Sequence, residues 1–243
     1  MSRNFQLLQQ LNEEVQQSHL HVPITTERFV KLPGAIGEPD AIAKGETVRL
    51  VRRVFLADEE SAPRVVLFCG VEGDNGSSLV SVRTAQVLAA QSSLSVCLVD
   101  ANLRSPRLCD FFRIDTTTPF TGTCESLRAQ CVKVAGSFWL ASSEVLANNN
   151  RELLPAEDLK KRLAELRSMF GYVLIDVAAN VDDDIQLLGQ SADAAILVVE
   201  ASRTRRQSAR NAKEALDAAG VPLLGAVLHN RSFPIPEKLY KRL

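Results

Sequence analysis

The residues with the clearest chemical pattern in this 243-residue sequence form a short loop, 70–78, that could bind phosphate. An apolar run at 65–69 precedes the loop, and apolar residues at helical spacing follow it through 79–89. This order predicts a strand, a glycine-rich turn and a helix. Backbone N–H groups in such a turn, together with the helix N-terminus, form a cradle for anions. The candidate nucleotide-binding residues are Gly70, Gly73, Asn75, Gly76, Ser77, Ser78 and Leu79.

The loop lacks the basic residue that phosphate binding usually requires. In the pattern G-x-x-x-x-G-K-[ST] a lysine follows the second glycine. With Gly76 in that place, Ser77 stands where the lysine belongs and Ser78 supplies the hydroxyl. The loop also carries Glu72 and Asp74. Because a charge-assisted hydrogen bond to phosphate contributes roughly 1.5–3 kcal/mol, we expect nucleotide binding to be weakened about ten- to a hundred-fold, and phosphoryl transfer further.

Two carboxylates end apolar runs that have the length of buried strands. Asp100 ends the run 95–100, and Asp176 ends the run 172–176. Carboxylates at the carboxyl ends of strands near a phosphate loop are placed to reach a magnesium ion or its water. The candidate metal ligands are therefore Ser78, Asp100 and Asp176, for the case in which Mg²⁺ is bound.

Further apolar runs alternate with helical patterns and predict the fold class. Strands are also expected at 192–200 and 223–228, and helices at 46–60, 151–170 and 208–219, the second of these whole or broken at Pro155. Residues 107–150 appear irregular apart from a short apolar piece around Trp139. We expect an α/β fold, a P-loop NTPase-like, mostly parallel sheet with helices on both faces, preceded by an N-terminal arm.

The predicted domain organisation is an arm and linker at 1–44 followed by the P-loop domain at 45–243. Apolar residues share one helical face of 4–18, and prolines and glycines follow in 19–44. Two interpretations of 4–18 are open, an arm that packs on the body and a dedicated partner helix, and the first is favoured.

Composition argues against several classes of protein. With 28 basic and 29 acidic residues the net charge is −1, so no global field recruits nucleic acid or an anionic membrane. Five cysteines, with no C-x-x-C spacing, favour free thiols in a reducing cytosol over disulfides or a metal site. No apolar run approaches eighteen residues, and the N-terminus lacks the pattern of a signal peptide. We expect a cytoplasmic protein with no nucleic-acid partner.

Three strand-end motifs in this order resemble those of the bacterial tyrosine kinases (BY-kinases) of capsule and exopolysaccharide systems, within the wider superfamily of ParA/MinD-type P-loop ATPases. The loop 70–78 is similar to the family's P-loop. The segment L-V-D-A-N-L-R-S-P at 98–106 is similar to its second motif, hhhDxDxR, and V-L-I-D at 173–176 to its Walker B motif.

Outside these motifs the resemblance continues along the chain. Glu46, Arg49 and Arg52 form an E-x-x-R-x-x-R stripe similar to the family's ring-assembly motif, and the resemblance implies a role in oligomerisation. Taken alone, the stripe is equally typical of a solvated helix face with local ion pairs. The segment N-N-R-E-L-L at 149–154 and the tail from His229 also look like family sequences.

The resemblance implies that the catalytic positions are Asp100, Asn102, Arg104 and Asp176, and here the motifs are degenerate. Asn102 replaces the second acid of D-x-D, and Ser77 replaces the lysine. The family activity is protein-tyrosine kinase with ATP and Mg²⁺. These departures favour an inactive or weak relative, in which binding of ATP or ADP with Mg²⁺ is weakened.

The small number of tyrosines also favours an inactive or weak relative. BY-kinases phosphorylate a tyrosine-rich C-terminal cluster on a neighbouring subunit, whereas this sequence contains only Tyr172 and Tyr240. Tyr172 precedes an apolar strand and is expected to be packed. Tyr240 is the candidate phosphoacceptor, although an amphipathic tail explains it equally well.

The favoured hypothesis is a cytoplasmic pseudokinase-like protein that regulates or scaffolds exopolysaccharide (capsule) biosynthesis or export. The resemblance implies two partners: the cytoplasmic segment of a membrane polysaccharide co-polymerase (Wzz-like), which would recruit the protein to the inner face of the plasma membrane, and a second copy or a related active kinase in a homo- or hetero-oligomer. One alternative is an active tyrosine autokinase or ATPase in which Arg83 or Arg104 substitutes for the lysine. The other is a non-hydrolysing, ParA/MinD-like module that dimerises with nucleotide.

Overall fold

The computed structural model of the protein describes residues 41–58, 61–73, 76–112, 114, 127–148, 150–177 and 182–230. In these ranges the strands are β1 (Val65–Gly70), β2 (Val96–Asp100), β3 (Cys131–Ala135), β4 (Phe138–Ala141), β5 (Tyr172–Val177), β6 (Ala194–Glu200) and β7 (Leu223–His229). The α-helices are α1 (Ala41–Val51), α2 (Ser77–Gln91), α3 (Leu108–Phe112), α4 (Ala156–Met169), α5 (Asp182–Gly189) and α6 (Arg206–Ala218). A π-helical turn, Arg52–Leu56, continues α1, and two short 3₁₀ helices span Leu127–Gln130 and Ser143–Val145.

In the described part of the chain the strands form one seven-stranded sheet in the order β3-β4-β2-β5-β1-β6-β7. The strand pairs are parallel except for the antiparallel pair β3 and β4. Strands β1, β2 and β5 are buried along their whole length, because both faces of the sheet are covered. The predicted α/β class with a mostly parallel sheet is confirmed.

Two apolar clusters separate the sheet from its two helical layers. Leu163 of α4, Ile185 of α5 and Leu216 of α6 belong to the cluster on one face. Phe55, Leu88 of α2 and the start of α3 belong to the cluster on the other. Helices therefore lie on both faces, and the carboxyl ends of the parallel strands are left free for a site.

The region predicted to be irregular, 107–150, contains two strands and a short helix that sequence patterning missed. Strand β3 is half exposed and has a register irregularity between Lys133 and Ala135, and β4 has only four residues. A half-exposed edge strand and a strand of four residues both carry a weak sequence pattern. Of the predicted helix at 151–170 only one part forms: α4 begins at Ala156, directly after Pro155, and Leu153 instead pairs with Ala147 in an isolated β-bridge.

The first described helix, α1, and the π-helical turn that continues it pack against the sheet. Val51 and Phe55 are fully buried, and Tyr172 donates a hydrogen bond through its hydroxyl to the Phe55 carbonyl oxygen at 3.1 Å. Tyr172 is therefore packed, as expected. Helix α1 begins at Ala41, so it crosses the proposed boundary at 44/45, and that division of domains stays a prediction.

Several predicted features lie outside the described residues, among them the segment 4–18, Asp74, Asn75, Cys124 and Tyr240. The other four cysteines have free thiols. Among the helices that the structure describes, none has both the length and the apolar character needed to span a membrane.

Candidate phosphate-loop site

The loop after β1 turns into α2 through a left-handed residue. Gly70 is the last residue of β1, and Gly76 has φ +77°, a conformation that favours glycine. The amide of Val80 then donates to the Gly76 carbonyl oxygen at 3.0 Å and closes the first turn of α2. Strand, turn and helix thus follow in the order predicted for a phosphate loop, with Ser77, Ser78 and Leu79 in that first turn.

Space above Gly76 is taken by His229, which lies at the carboxyl end of β7. A Cβ built on Gly76 would lie 2.4 Å from His229 Cδ2, so only glycine fits beneath the ring. Burial and the charge of Arg83 lower the pKa of His229, against an opposing effect of Glu200. The ring is therefore neutral at pH 7. His229 is a site residue that sequence reasoning missed, although its position at the end of a predicted strand was a usable signal.

Glu72 does not face the phosphate cradle. Its Oε1 accepts a hydrogen bond from Ser208 Oγ at 2.7 Å and one from the Arg205 amide at 3.4 Å, both at the start of α6. These bonds and the charges of Arg205 and Arg203 lower the pKa of Glu72. The α6 N-terminus stabilises the ionised form of this carboxylate. Glu72 therefore keeps its negative charge but is held towards α6, and the missing lysine at 77 carries the argument against phosphate binding.

Asp100 and Asp176 are brought together, as expected for strand-end acids. They are register partners on the adjacent parallel strands β2 and β5, which places their Cα atoms about 4.8 Å apart. Strand β5 lies between β2 and β1. Asp176 is therefore on the strand next to the phosphate loop, where it pairs in register with Phe68, and Asp100 is one strand further away.

The carboxyl group of Asp176 is buried and held close to neutrality. Burial is the main cause, and with the nearby charge of Asp100 it raises the pKa of Asp176 to about 7. The hydroxyls of Ser78, Ser77 and Ser81 act in the opposite direction but do not offset burial. Within the part of the chain that is described, its Oδ1 is buried without a hydrogen-bond partner.

Asp100 has a different role, because both its oxygens accept backbone N–H groups. Oδ1 accepts from Asn102 at 2.9 Å, and Oδ2 accepts from Arg107 and Leu108 at 3.0 Å each. Asn102 in turn accepts, through Oδ1, from the Ser105 amide at 3.1 Å. Burial nevertheless raises the pKa of Asp100. These two predicted catalytic residues shape the turn between β2 and α3.

We expect Asp100→Asn to lower the free energy of unfolding by about 1–3 kcal/mol. The asparagine side chain has only one carbonyl oxygen, so its N–H₂ group would face at least one of these backbone N–H donors. Urea denaturation at pH 7 measures the effect. Asn102→Asp is the matched control, since a carboxylate still accepts from Ser105, and we expect it to change stability by less than about 0.5 kcal/mol. Equal stability of the two variants would contradict this role of Asp100.

Arg104 is exposed and is directed towards α5. Burial raises the pKa of Asp184, and the guanidinium of Arg104 acts in the opposite direction without offsetting it. Asp182, Asp183 and Asp184 are the first three residues of α5.

The predicted magnesium ligands fit a cation in part. Asp176 Oδ1 is an unpartnered acceptor beside Ser78, as a cation ligand would be, whereas both oxygens of Asp100 already accept hydrogen bonds. No cluster of three or more His, Cys, Asp or Glu side chains suitable for a metal occurs among the described residues. Any Mg²⁺ here would need phosphate and water for most of its six ligands.

The stripe on α1 and the π-helical turn is solvent-exposed, opposite Val51 and Phe55. Arg49 Nη1 lies 2.8 Å from Glu46 Oε1, with side-chain exposures of 76% and 63%. Arg52 is exposed as well. An exposed pair of this kind stabilises the fold little, so these side chains are available for contacts outside the subunit.

Comparison with known proteins finds curated relatives that are named tyrosine-protein kinases. The chain is 28% identical over 203 residues to the tyrosine-protein kinase YwqD of Bacillus subtilis, covering 81% of this chain and 85% of that protein. It is 28% identical over 186 residues to the succinoglycan biosynthesis transport protein ExoP of Rhizobium meliloti, covering 72% of this chain and 23% of that protein. No family model matches the sequence.

Solved structures share the fold. The kinase domain of the Escherichia coli tyrosine kinase ETK aligns with a TM-score of 0.65 at 20% identity, covering 92% of this chain and 90% of that one. The septum site-determining protein MinD of Pyrococcus horikoshii, complexed with Mg-ADP, aligns with a TM-score of 0.58 at 17% identity over 74% of this chain and 76% of that one.

Proposed function

We propose that the chain is a member of the bacterial tyrosine kinase (BY-kinase) family and that within this family it is a pseudokinase-like regulator or scaffold. The protein would act in the biosynthesis or export of exopolysaccharide or capsule. The relationship to a succinoglycan biosynthesis transport protein supports this choice of process.

The observation that supports the proposal most is the lack of positive charge in the loop around Ser77. No basic side chain lies among the described loop residues 70–73 and 76–78, and Ser77 stands at the lysine position. Beside it, Asp176 has a pKa of about 7 instead of the low value that a lysine ammonium would impose. A loop without a positive charge for phosphate, next to an Asp176 carboxyl that is only partly ionised, is poorly suited to phosphoryl transfer.

In this proposal the degenerate motif residues are retained for structure. Asp100 and Asn102 hold the turn after β2, and Ser78 and Asp176 would contact Mg²⁺ only with a weakly bound nucleotide. The stripe of Glu46, Arg49 and Arg52 would form contacts with a second copy or with a related active kinase. The cytoplasmic segment of a membrane polysaccharide co-polymerase would be the further partner and would recruit the protein to the membrane.

One alternative, a working kinase or ATPase, is favoured by a separate observation. Arg83 lies on α2 close enough to His229 to lower its pKa, so a cation is present near the loop. In that case Arg83 would take over the role of the lysine, and Tyr240 would be the phosphoacceptor.

Calorimetric titration with ATP and ADP in magnesium tests the proposal. We expect no saturable heat and no hydrolysis, because the loop provides no positive charge to bind the phosphates. Hydrolysis that Asp176→Ala abolishes, or labelled phosphate on Tyr240, would establish the enzyme instead. Tight binding without turnover, accompanied by dimerisation, would favour the nucleotide-dependent module.

A further inference from the structure

An open groove lies between the end of α1 and the edge of the sheet, away from the phosphate loop. Leu50 and Val54 form one wall, and Ile196 with residues 224–227 of β7 forms the other, around a cavity of about 510 Å³. Arg53 is also part of the lining. Leu224 is 46% exposed, which is unusual for a large apolar side chain of a strand.

Two backbone features explain why the groove is open. Strand β7 is the last strand of the sheet, and in the described part of the chain no strand pairs with its outer edge. Gly225 carries no side chain, and among the described residues other than its chain neighbours no atom lies within 4 Å of the place where its Cβ would be. An apolar, unpaired edge of this kind is normally covered by another element.

We propose that residues 4–18 of this chain pack into the groove. The segment NFQLLQQLNEEVQQS places Phe5, Leu8, Leu11 and Val15 on one helical face, which matches the apolar walls. Beside this face the segment carries Glu14, and it has no basic residue, which complements Arg53. The segment is therefore suited to the groove in both its apolar face and its charge.

The chain is long enough for this arrangement. Residues 19–40 connect the segment to α1, whose own last turns line the groove. An extended linker at about 3.3 Å per residue reaches about 70 Å, whereas α1 is only about 17 Å long.

The C-terminal segment 231–243 is a poorer occupant, although it follows β7 directly. Pro234 and Pro236 lack the N–H groups that a strand added to β7 would donate. Lys238, Lys241 and Arg242 would bring like charge towards Arg53. Charge and hydrogen bonding therefore both favour the N-terminal segment.

Packing of residues 4–18 into this groove would also affect the phosphate loop, because β7 connects the two. The strand runs from Leu224 in the groove to His229, whose ring lies over Gly76. A segment packed on the strand would restrict its movement, and with it the position of the imidazole. This inference does not depend on whether the loop binds nucleotide.

Hydrogen exchange on the full chain tests the proposal. In Leu8→Asp/Leu11→Asp we expect amides of 50–56 and 223–228 to exchange about tenfold faster, because an opened edge loses its cover. The matched control, Gln6→Asp/Gln10→Asp, adds the same charge to the opposite helical face and should leave these amides unchanged. Strands β3 and β4, at the other edge, should be unaffected by either pair.

Two results would overturn the proposal. The first is unchanged exchange of 50–56 and 223–228 in Leu8→Asp/Leu11→Asp, which would mean that residues 4–18 do not cover the groove. The second is protection in the unaltered chain that disappears on dilution, since this would assign the groove to a second copy.

Discussion

Asp176→Asn should stabilise the protein by on the order of 3–4 kcal/mol at pH 7 and above. The pKa of Asp176 rises from 3.8 to about 7 because the carboxyl is buried at the end of β5. In the unfolded chain the group ionises near pH 4, so between about pH 4 and pH 7 the folded state holds a proton that the unfolded state has lost. Folding stability therefore falls as the pH rises through this window, by about 1.4 kcal/mol per pKa unit.

An asparagine at 176 cannot ionise and removes this dependence. We expect the variant and the natural protein to have similar free energies of unfolding near pH 4 and to diverge up to pH 7. Urea denaturation across this range measures the difference. The same slope in both proteins would mean that Asp176 is ionised in the folded state.

Asp193→Asn provides a control of opposite sign. The amides of Arg64 and Val65 and the guanidinium of Arg167 hydrogen-bond to Asp193, and together they lower its pKa despite partial burial. Its contribution to stability is present above the unfolded pKa and is lost as the pH falls through the lower folded value. Asp193→Asn should therefore destabilise the protein at neutral pH, whereas Asp176→Asn stabilises it.

Local sequence patterns were sufficient to predict the central strands of the sheet. The strands that end at Asp100 and Asp176 are continuous apolar runs, which parallel strands buried on both faces require. Turn chemistry identified Gly76, and Pro155 marked the start of α4. The hairpin of β3 and β4 was missed because the edge strand β3 is half exposed and has no continuous apolar pattern, and β4 has only four residues.

The site was only partly predictable, because its hydrogen-bond partners are distant in the chain. Glu72 was identified as a loop acid, but its partner Ser208 is 136 residues away and comes from α6. His229 reaches Gly76 only because β7 and β1 both lie beside β6 in the sheet. A motif gives residue types at fixed spacing, whereas the direction of each side chain depends on which strands become neighbours.

Ser77→Lys should increase affinity for ATP in magnesium by about ten- to a hundred-fold, which corresponds to the roughly 1.5–3 kcal/mol of a charge-assisted hydrogen bond. Glu72 is held by α6, and the turn at Gly76 is formed. The missing positive charge at 77 is then an obstacle to phosphate binding that one substitution can remove. The new ammonium would also lie near Asp176, because the Ser77 hydroxyl already acts on that carboxyl.

A cation at this distance favours the ionised carboxylate, so Ser77→Lys should also lower the pKa of Asp176. The decline of stability between pH 4 and pH 7 would become shallower, which is a result that can be measured without nucleotide. Ser77→Met is the matched control, since it has a side chain of similar length without the charge. Calorimetry should show added affinity for Ser77→Lys and none for Ser77→Met. If Ser77→Met gained as much affinity as Ser77→Lys, or the natural protein already bound ATP tightly, the loss of charge at 77 could not account for an inactive site.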